Sequence, residues 1–188
     1  MLQVGMMTLS DDRRAAWLDG MAQHVLTHGL THASLRPLAQ AVGTSDRMLI
    51  YHFGSKEGVV GALLHHLAGG FVAELEAALP SGRAVSVPLC LAEVVALLRD
   101  PGMEGYGRVW LDILSAAAGG SAAHREAGQE IMAGFAGWLE GRLPEGTDEP
   151  AAVAATLLTL IEGVIVMDSV GQSALADRAV AVVGMRLS

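Results

Sequence analysis

With 188 residues, 52% apolar and 17% charged, the chain is long enough to bury a real core and too apolar to be disordered. Its formal net charge of −8 excludes a uniformly basic surface that would coat nucleic acid, and its single cysteine, Cys90, excludes an internal disulfide. The opening MLQVGMMTLSDDRR has no basic stretch followed by a long apolar core. No signal peptide is expected, and the chain reads as cytoplasmic.

Residues 11–28 place apolar groups at 17/18, 21/22 and 25/26, one face of a helix. Asp11 and Asp12 are expected at its start, where carboxylates meet the positive end of the dipole, and Gly29 is its expected stop. Ser34 caps a second helix, SLRPLAQAV, which tolerates Pro37 in its first turn. Its inner stripe is Leu35, Leu38, Ala39 and Val42. Gly43 breaks it, and Thr44 or Ser45 opens a third, short helix to about Phe53. Gly54 ends that helix and Ser55 caps a long amphipathic one over 55–79. Its inward stripe is Val60, Leu63, Leu64, Leu67, Phe71 and Leu75, and Gly69-Gly70 is a point where it can bend.

PSGRAVSVP, residues 80–88, reads as a linker. Five further helical segments follow, near 89–99, 103–117, 121–143, 149–169 and 172–187, punctuated by DPG, GGS, PEGTDEP and VGQ. With no alternating strand pattern and no internal repeat, the expected class is all-α. The most apolar stretch, residues 151–168, is interrupted by Glu162 and falls short of ~20 residues. It reads as a buried helix, and no membrane span is expected.

Charge divides unevenly along the chain. Residues 1–57 hold five basic groups (Arg13, Arg14, Arg36, Arg47, Lys56) and five acidic ones, whereas the rest holds seven basic and fifteen acidic, which is the whole −8. The segment LRPLAQAVGTSDRMLIYHFGSKEG, 35–58, is therefore not itself part of the acidic half. Its two short helices and Gly-containing turn fit a helix-turn-helix. In that motif the second helix enters the major groove with its N-terminal residues at base edges. Here those are Thr44, Ser45, Asp46, Arg47 and Met48. Arg47 can pair with a guanine edge, and Thr44 or Ser45 can reach a base or a phosphate. Tyr51, His52 and Lys56 stand where donors hold the phosphate backbone. Ser34 and Arg36, at the start of the preceding helix, complete the candidate DNA-contacting set. Periodicity alone is equally served by two packed helices of an ordinary bundle.

LRPLAQAVGTSDRMLIYHFGSKEGVVGALL resembles the DNA-binding signature of the TetR family of transcriptional repressors. The resemblance rests on the preceding helix, the Ser opening the second helix, the small pair Ala39 and Ala41, and Gly43 in the turn. It continues through Ser45, Leu49, Tyr51-His52-Phe53, and Ser55-Lys56-Glu57 opening a long helix. It covers residues 11 to about 65; beyond that only helical layout and length match. Ile50, Asp46 and Gly58 depart from the family's usual residues. The resemblance implies an all-α homodimer with a head over 1–54 and a ligand-binding and dimerisation domain over 55–188, joined by helix 55–79. Two heads ~34–36 Å apart would read a pseudo-palindrome of double-stranded DNA, and a small molecule favouring one spacing would shift the population toward it.

The resemblance also implies dimerisation through roughly residues 149–187. The small residues Ala152, Ala155, Thr159 and Gly163, with Val166, allow close helix approach, although they suit simple core packing too. Met103, Tyr106, Trp110, Met132, Phe135 and Trp138 are candidates to line an apolar ligand cavity, with plain core packing as the alternative for each. Glu162, a carboxylate in an apolar stretch, must be paired, protonated or at a wet site, and ligand contact is one such role. His24, His28 and His32 are spaced by four, but Gly29 interrupts them; His65-His66 must diverge. No metal or cofactor is implied, and no nucleophile–base pair, phosphate loop or paired carboxylates point to an enzyme. The expected function is a ligand-responsive, DNA-binding repressor. The alternative is a helical small-molecule-binding or scaffold protein whose head no longer binds DNA.

Overall fold

The computed structural model describes residues 4–79 and 82–186. Residues 80 and 81 of the expected linker and residue 187 of the expected last helix lie outside the described residues, as does the side chain of His32. Among the described residues the chain is all-α, with nine α-helices, two short 3-10 turns and no strand. The helices are α1 (Val4–His28), α2 (Leu35–Ala41), α3 (Asp46–Phe53), α4 (Lys56–Ala78), α5 (Val87–Leu98), α6 (Glu104–Ala118), α7 (Ala122–Arg142), α8 (Pro150–Ser169) and α9 (Ser173–Arg186).

Three local expectations need correction. The first helix begins at Val4, so Asp11 and Asp12 lie inside it and not at its positive end. The preceding residues contain no proline and include the helix formers Met and Leu, which let the helix run on. The fifth helix begins at Val87, two residues earlier than expected, because the Ser86 hydroxyl accepts the N–H of Leu89 at 3.3 Å and Pro88 sits in the first turn. On α4 the fully buried valine is Val59, while Val60 is half-buried. Adjacent apolar residues satisfy a 3.6 period equally well, and tertiary packing chooses between them.

The chain divides into two compact units. The first comprises residues 1–70 and 108–130. Here α1 packs on α2 and α2 on α3. Met21 and Val25 of α1, Leu38 of α2, Leu49 of α3 and Val59, Leu63 and Leu64 of α4 are buried at 1% exposure or less.

The second unit comprises residues 71–107 and 131–188, with α5, α8 and α9 packed on one another. Leu75, Cys90, Leu91, Val94, Phe135, Leu139, Leu157 and Ile161 form its core. The segment before α5 is pinned: the N–H of Ala84 donates to the Arg142 carbonyl at 2.8 Å, and Arg83 Nη1 donates to the Leu143 carbonyl at 2.8 Å. Arg99, at the C-cap of α5, grips Asp168 through Nε at 2.8 Å and Nη2 at 3.1 Å, and Asp177 through Nη1 at 2.7 Å. One guanidinium thus ties α5 to both α8 and α9.

The reading of 151–168 as a buried helix holds for one face only. Ala154, Leu157, Ile161 and Val164 are buried, whereas Ala152, Ala155, Thr159, Gly163 and Val166 are exposed. By length and composition alone, α4 and α8 are each long and apolar enough to cross a membrane.

Candidate nucleic-acid interface

The turn between α2 and α3 is built by short-range rules. Gly43 adopts φ 64°, a left-handed conformation that glycine enters without a Cβ clash. The N–H of Thr44 then returns to the Ala39 carbonyl at 2.9 Å. Of the two expected caps, Ser45 is the one used: its Oγ accepts the N–H of Met48 at 3.3 Å. Asp46 falls in the first turn of α3, where its charge suits the helix dipole. Ser34 occupies the N-cap position of α2, but its side chain makes no cap hydrogen bond.

Helix α3 has two distinct faces. Leu49 and Phe53 are buried, while Arg47, Met48, Ile50 and Tyr51 face solvent. Tyr51 is 78% exposed. Solvent-facing Met, Ile and Tyr on one short helix form an apolar contact surface that the packing of this unit does not use. Arg36, Arg47 and Lys56 are exposed too, and no salt bridge among the described residues engages them. His52 is held differently. Its half-buried ring lies edge-on to Trp17 at 5.0 Å and to Tyr51 at 5.2 Å. Arg14 covers the Phe53 ring at 4.7 Å from its centroid. Ser34, Arg36, Thr44, Ser45, Asp46, Arg47, Tyr51, His52 and Lys56 all belong to the first unit.

The junction of α3 and α4 is tighter than the sequence suggests. The Ser55 Oγ accepts the N–H of Gly58 at 3.0 Å. A Cβ on Gly58 would stand 2.1 Å from the Phe53 carbonyl oxygen, so only glycine fits. The departure at Gly58 is therefore a packing requirement of this junction. Glu57 lies at the positive end of α4. Its own backbone N–H, then the Ser55 hydroxyl, with Lys56 adding, hold its carboxyl below the ordinary range.

Sequence reasoning missed one support of this unit. Asp112 of α6 accepts the N–H of Leu30, at the turn after α1, at 2.8 Å, and Arg108 Nη1 donates to the Thr27 carbonyl at 3.1 Å. On α4, His65 Nδ1 meets Glu130 at 2.7 Å and His66 Nε2 meets Asp19 at 2.9 Å, so the adjacent histidines diverge as expected. His24 and His28 stack at 4.4 Å. Burial, then His28, lowers the pKa of His24. Among the described residues no cluster of three or more metal-ligating side chains occurs.

The ligand candidates divide between the units. In the second, Phe135 is 1% exposed and packs edge-on to Phe71 at 5.3 Å, and Phe71 lies 5.8 Å from Tyr106. Met103 is buried, and Met132 and Trp138 are half-buried against the same core. Burial, then Glu74, raises the Tyr106 pKa. Trp110 belongs to the first unit, buried beside Gly128. Glu162 is half-buried on α8.

No family profile matches the sequence, and no curated protein does. Solved structures do. A TetR-family transcriptional regulator from Rhodococcus sp. is 20% identical, with a TM-score of 0.67 over 94% of this chain and 98% of its own. The multidrug binding protein EbrR, solved with proflavin, is 19% identical, with a TM-score of 0.70 over 94% and 99%. A transcriptional regulator from Streptomyces coelicolor A3(2) is 22% identical, with a TM-score of 0.69 over 90% and 96%. Helix order, the helix-turn-helix and these whole-length likenesses agree: the chain has the fold of the TetR-family transcriptional regulators.

Proposed function

We propose that the protein is a ligand-responsive transcriptional regulator, a repressor that binds a pseudo-palindromic operator as a homodimer. The observation that carries this reading is the solvent-facing side of α3, where Arg47 and Tyr51 share one face beyond a Ser45-capped turn. In this reading residues 1–54 are the DNA-reading head and 55–188 the regulatory and dimerisation domain, with α4 as the link. Arg47 reads a guanine edge, while Ser34, Arg36, Thr44, Tyr51 and Lys56 hold phosphate or sugar. The hydroxyl of Ser45 serves the helix cap, and His52 positions Tyr51 and Trp17. No catalytic step is needed, and the place of action is the cytoplasm.

The exposed face of α8 and α9 supports the dimer. Val166, Val170, Leu175, Val182 and Met185 are 43–72% exposed, and Ala152, Ala155 and Gly163 are exposed among them. A second copy would bury this stripe isologously, the commonest oligomeric arrangement. The same burial accounts for the apolarity of α8 without a membrane.

Selection from a random duplex pool, followed by sequencing, tests the reading. A pseudo-palindrome with half-sites about one helical turn apart is expected. Recovery of no enriched sequence would favour the alternative, a small-molecule-binding or scaffold protein with an inactive head, which Asp46, Ile50 and the sparse positive charge of the head recommend.

A further inference from the structure

The second unit carries an open cavity of about 590 Å³ at the C-terminal ends of α4 and α7. That volume is within the range of small-molecule sites. Two α7 glycines, Gly137 and Gly141, line it one turn apart. A Cβ at either would meet nothing within 4 Å, so neither glycine is required by packing. Each glycine weakens a helix relative to alanine. Two in register leave a strip of bare backbone facing the cavity.

Trp138 lies between them in sequence and also lines the cavity, backed by Phe135 at 6.0 Å. The lining side chains include two guanidinium groups, Arg83 and Arg142, against one carboxylate, Glu76. Arg142 is 8% exposed, lies 5.2 Å from the Trp138 ring centroid and donates to Glu93 at 3.2 Å. The electron-rich face of Trp138 therefore already holds a cation, and a cationic ligand would meet like charge there. Arg83 is exposed, and its bond to the Leu143 carbonyl uses one of the several donors of its fork. A carboxylate is the planar partner that such a fork recognises.

We propose that this cavity binds a small planar aromatic carboxylate, its ring against Trp138 and the bare backbone at Gly137 and Gly141, its carboxylate on Arg83. The proposal rests on the regulator reading for its biological meaning, since it assigns the chemical class and the place of the effector. It does not rest on that reading for its test.

Isothermal titration of the full chain without DNA, with 2-naphthoate as probe, decides it. One site per chain is expected, with the neutral 2-naphthamide about tenfold weaker or more. Arg83→Gln should abolish the preference for the acid over the amide. Gly141→Leu and Gly137→Leu, which fill the cavity where no neighbour stands, should remove binding of both while the helical circular dichroism stays intact. Absence of naphthoate binding, equal affinity for acid and amide, or unchanged binding in the leucine variants would overturn the proposal. Tighter binding of proflavin, a planar cation, would overturn the charge assignment. Failure of DNA binding with success here would sink the regulator reading alone, and the reverse result would sink only the cavity assignment.

Discussion

Asp112 accepts a hydrogen bond from the backbone N–H of Leu30 at 2.8 Å, across 82 residues of sequence. The bond satisfies an N–H at the start of the 3-10 turn between α1 and α2, so α6 fixes the segment from which α2 departs. Asp112→Ala is expected to cost about 1–3 kcal/mol in urea unfolding, because a part-buried donor loses a charged acceptor. Asp112→Asn, which keeps an oxygen acceptor, should recover much of the loss. Equal stability of all three proteins would show that the bond contributes nothing.

Gly58 sets the second prediction. A Cβ there would stand 2.1 Å from the Phe53 carbonyl oxygen, so Gly58→Ala must move α3 against the start of α4. Overpacking of this kind costs about 1–3 kcal/mol. The displaced helix carries Arg47, so operator affinity should fall further than stability does. Anisotropy and urea unfolding on the same variant separate the two effects, and an alanine variant with full affinity would mean the junction is soft.

The two findings mark where sequence legibility ends. Gly43, Ser45, Gly54 and Ser55 act within four residues of themselves, so the α2–α3–α4 order could be read from spacing and caps. The Asp112 contact joins segments far apart in sequence, and a carboxylate on a helix gives no local sign of such a partner. Gly58 was visible as a departure, but its reason is a carbonyl from the preceding helix. Met103, Tyr106, Met132 and Phe135 carry the spacing that a core and a cavity share, and the structure uses all four in or against the core of the second unit. Gly137 and Gly141 raised no signal, because missing side chains leave no periodicity. The small residues Ala152, Ala155, Thr159 and Gly163, with Val166, were visible as a stripe for close helix approach, and they form the exposed face of α8, although the surrounding apolar run reads as buried throughout.

The Arg99 knot gives a pH dependence with a definite sign. Hydrogen bonding from Arg99 first, with burial opposing and Ser173 and the Arg99 charge adding, holds the Asp168 carboxyl below its ordinary value. A depressed carboxylate stabilises the fold above its unfolded pKa, ~3.9, and that contribution is lost as pH falls through the lower folded value. Arg99→Ala should therefore cost about 1–2 kcal/mol near neutral pH, discounted for partial exposure. The difference from wild type should shrink progressively below about pH 4. A difference that stays constant down to pH 2 would contradict the assignment.

The proposed dimer face is tested by charge. Val166→Glu with Val182→Glu places two carboxylates per protomer on the exposed stripe of α8 and α9 without touching buried residues. Analytical ultracentrifugation should show a dimer for wild type and a helical monomer for the double variant, with operator affinity lost alongside. A double variant that remains dimeric would move the interface elsewhere.

Base reading and phosphate holding predict different losses. Arg47→Ala should cost ~1–3 kcal/mol and relax preference at one symmetric operator position. Lys56→Ala and Tyr51→Phe should weaken all duplexes alike, and Lys56→Ala should also reduce the salt slope by about one. Unchanged sequence preference in Arg47→Ala would reject its role.

A chain of net charge −8 is proposed to bind DNA through its N-terminal head. Fluorescence anisotropy against the selected duplex and a scrambled control, across a salt series, tests it most directly. Two protomers per site, preference for the selected duplex, and affinity falling linearly on a log–log plot with salt are expected. Binding no tighter than the scrambled control at every salt concentration would contradict it.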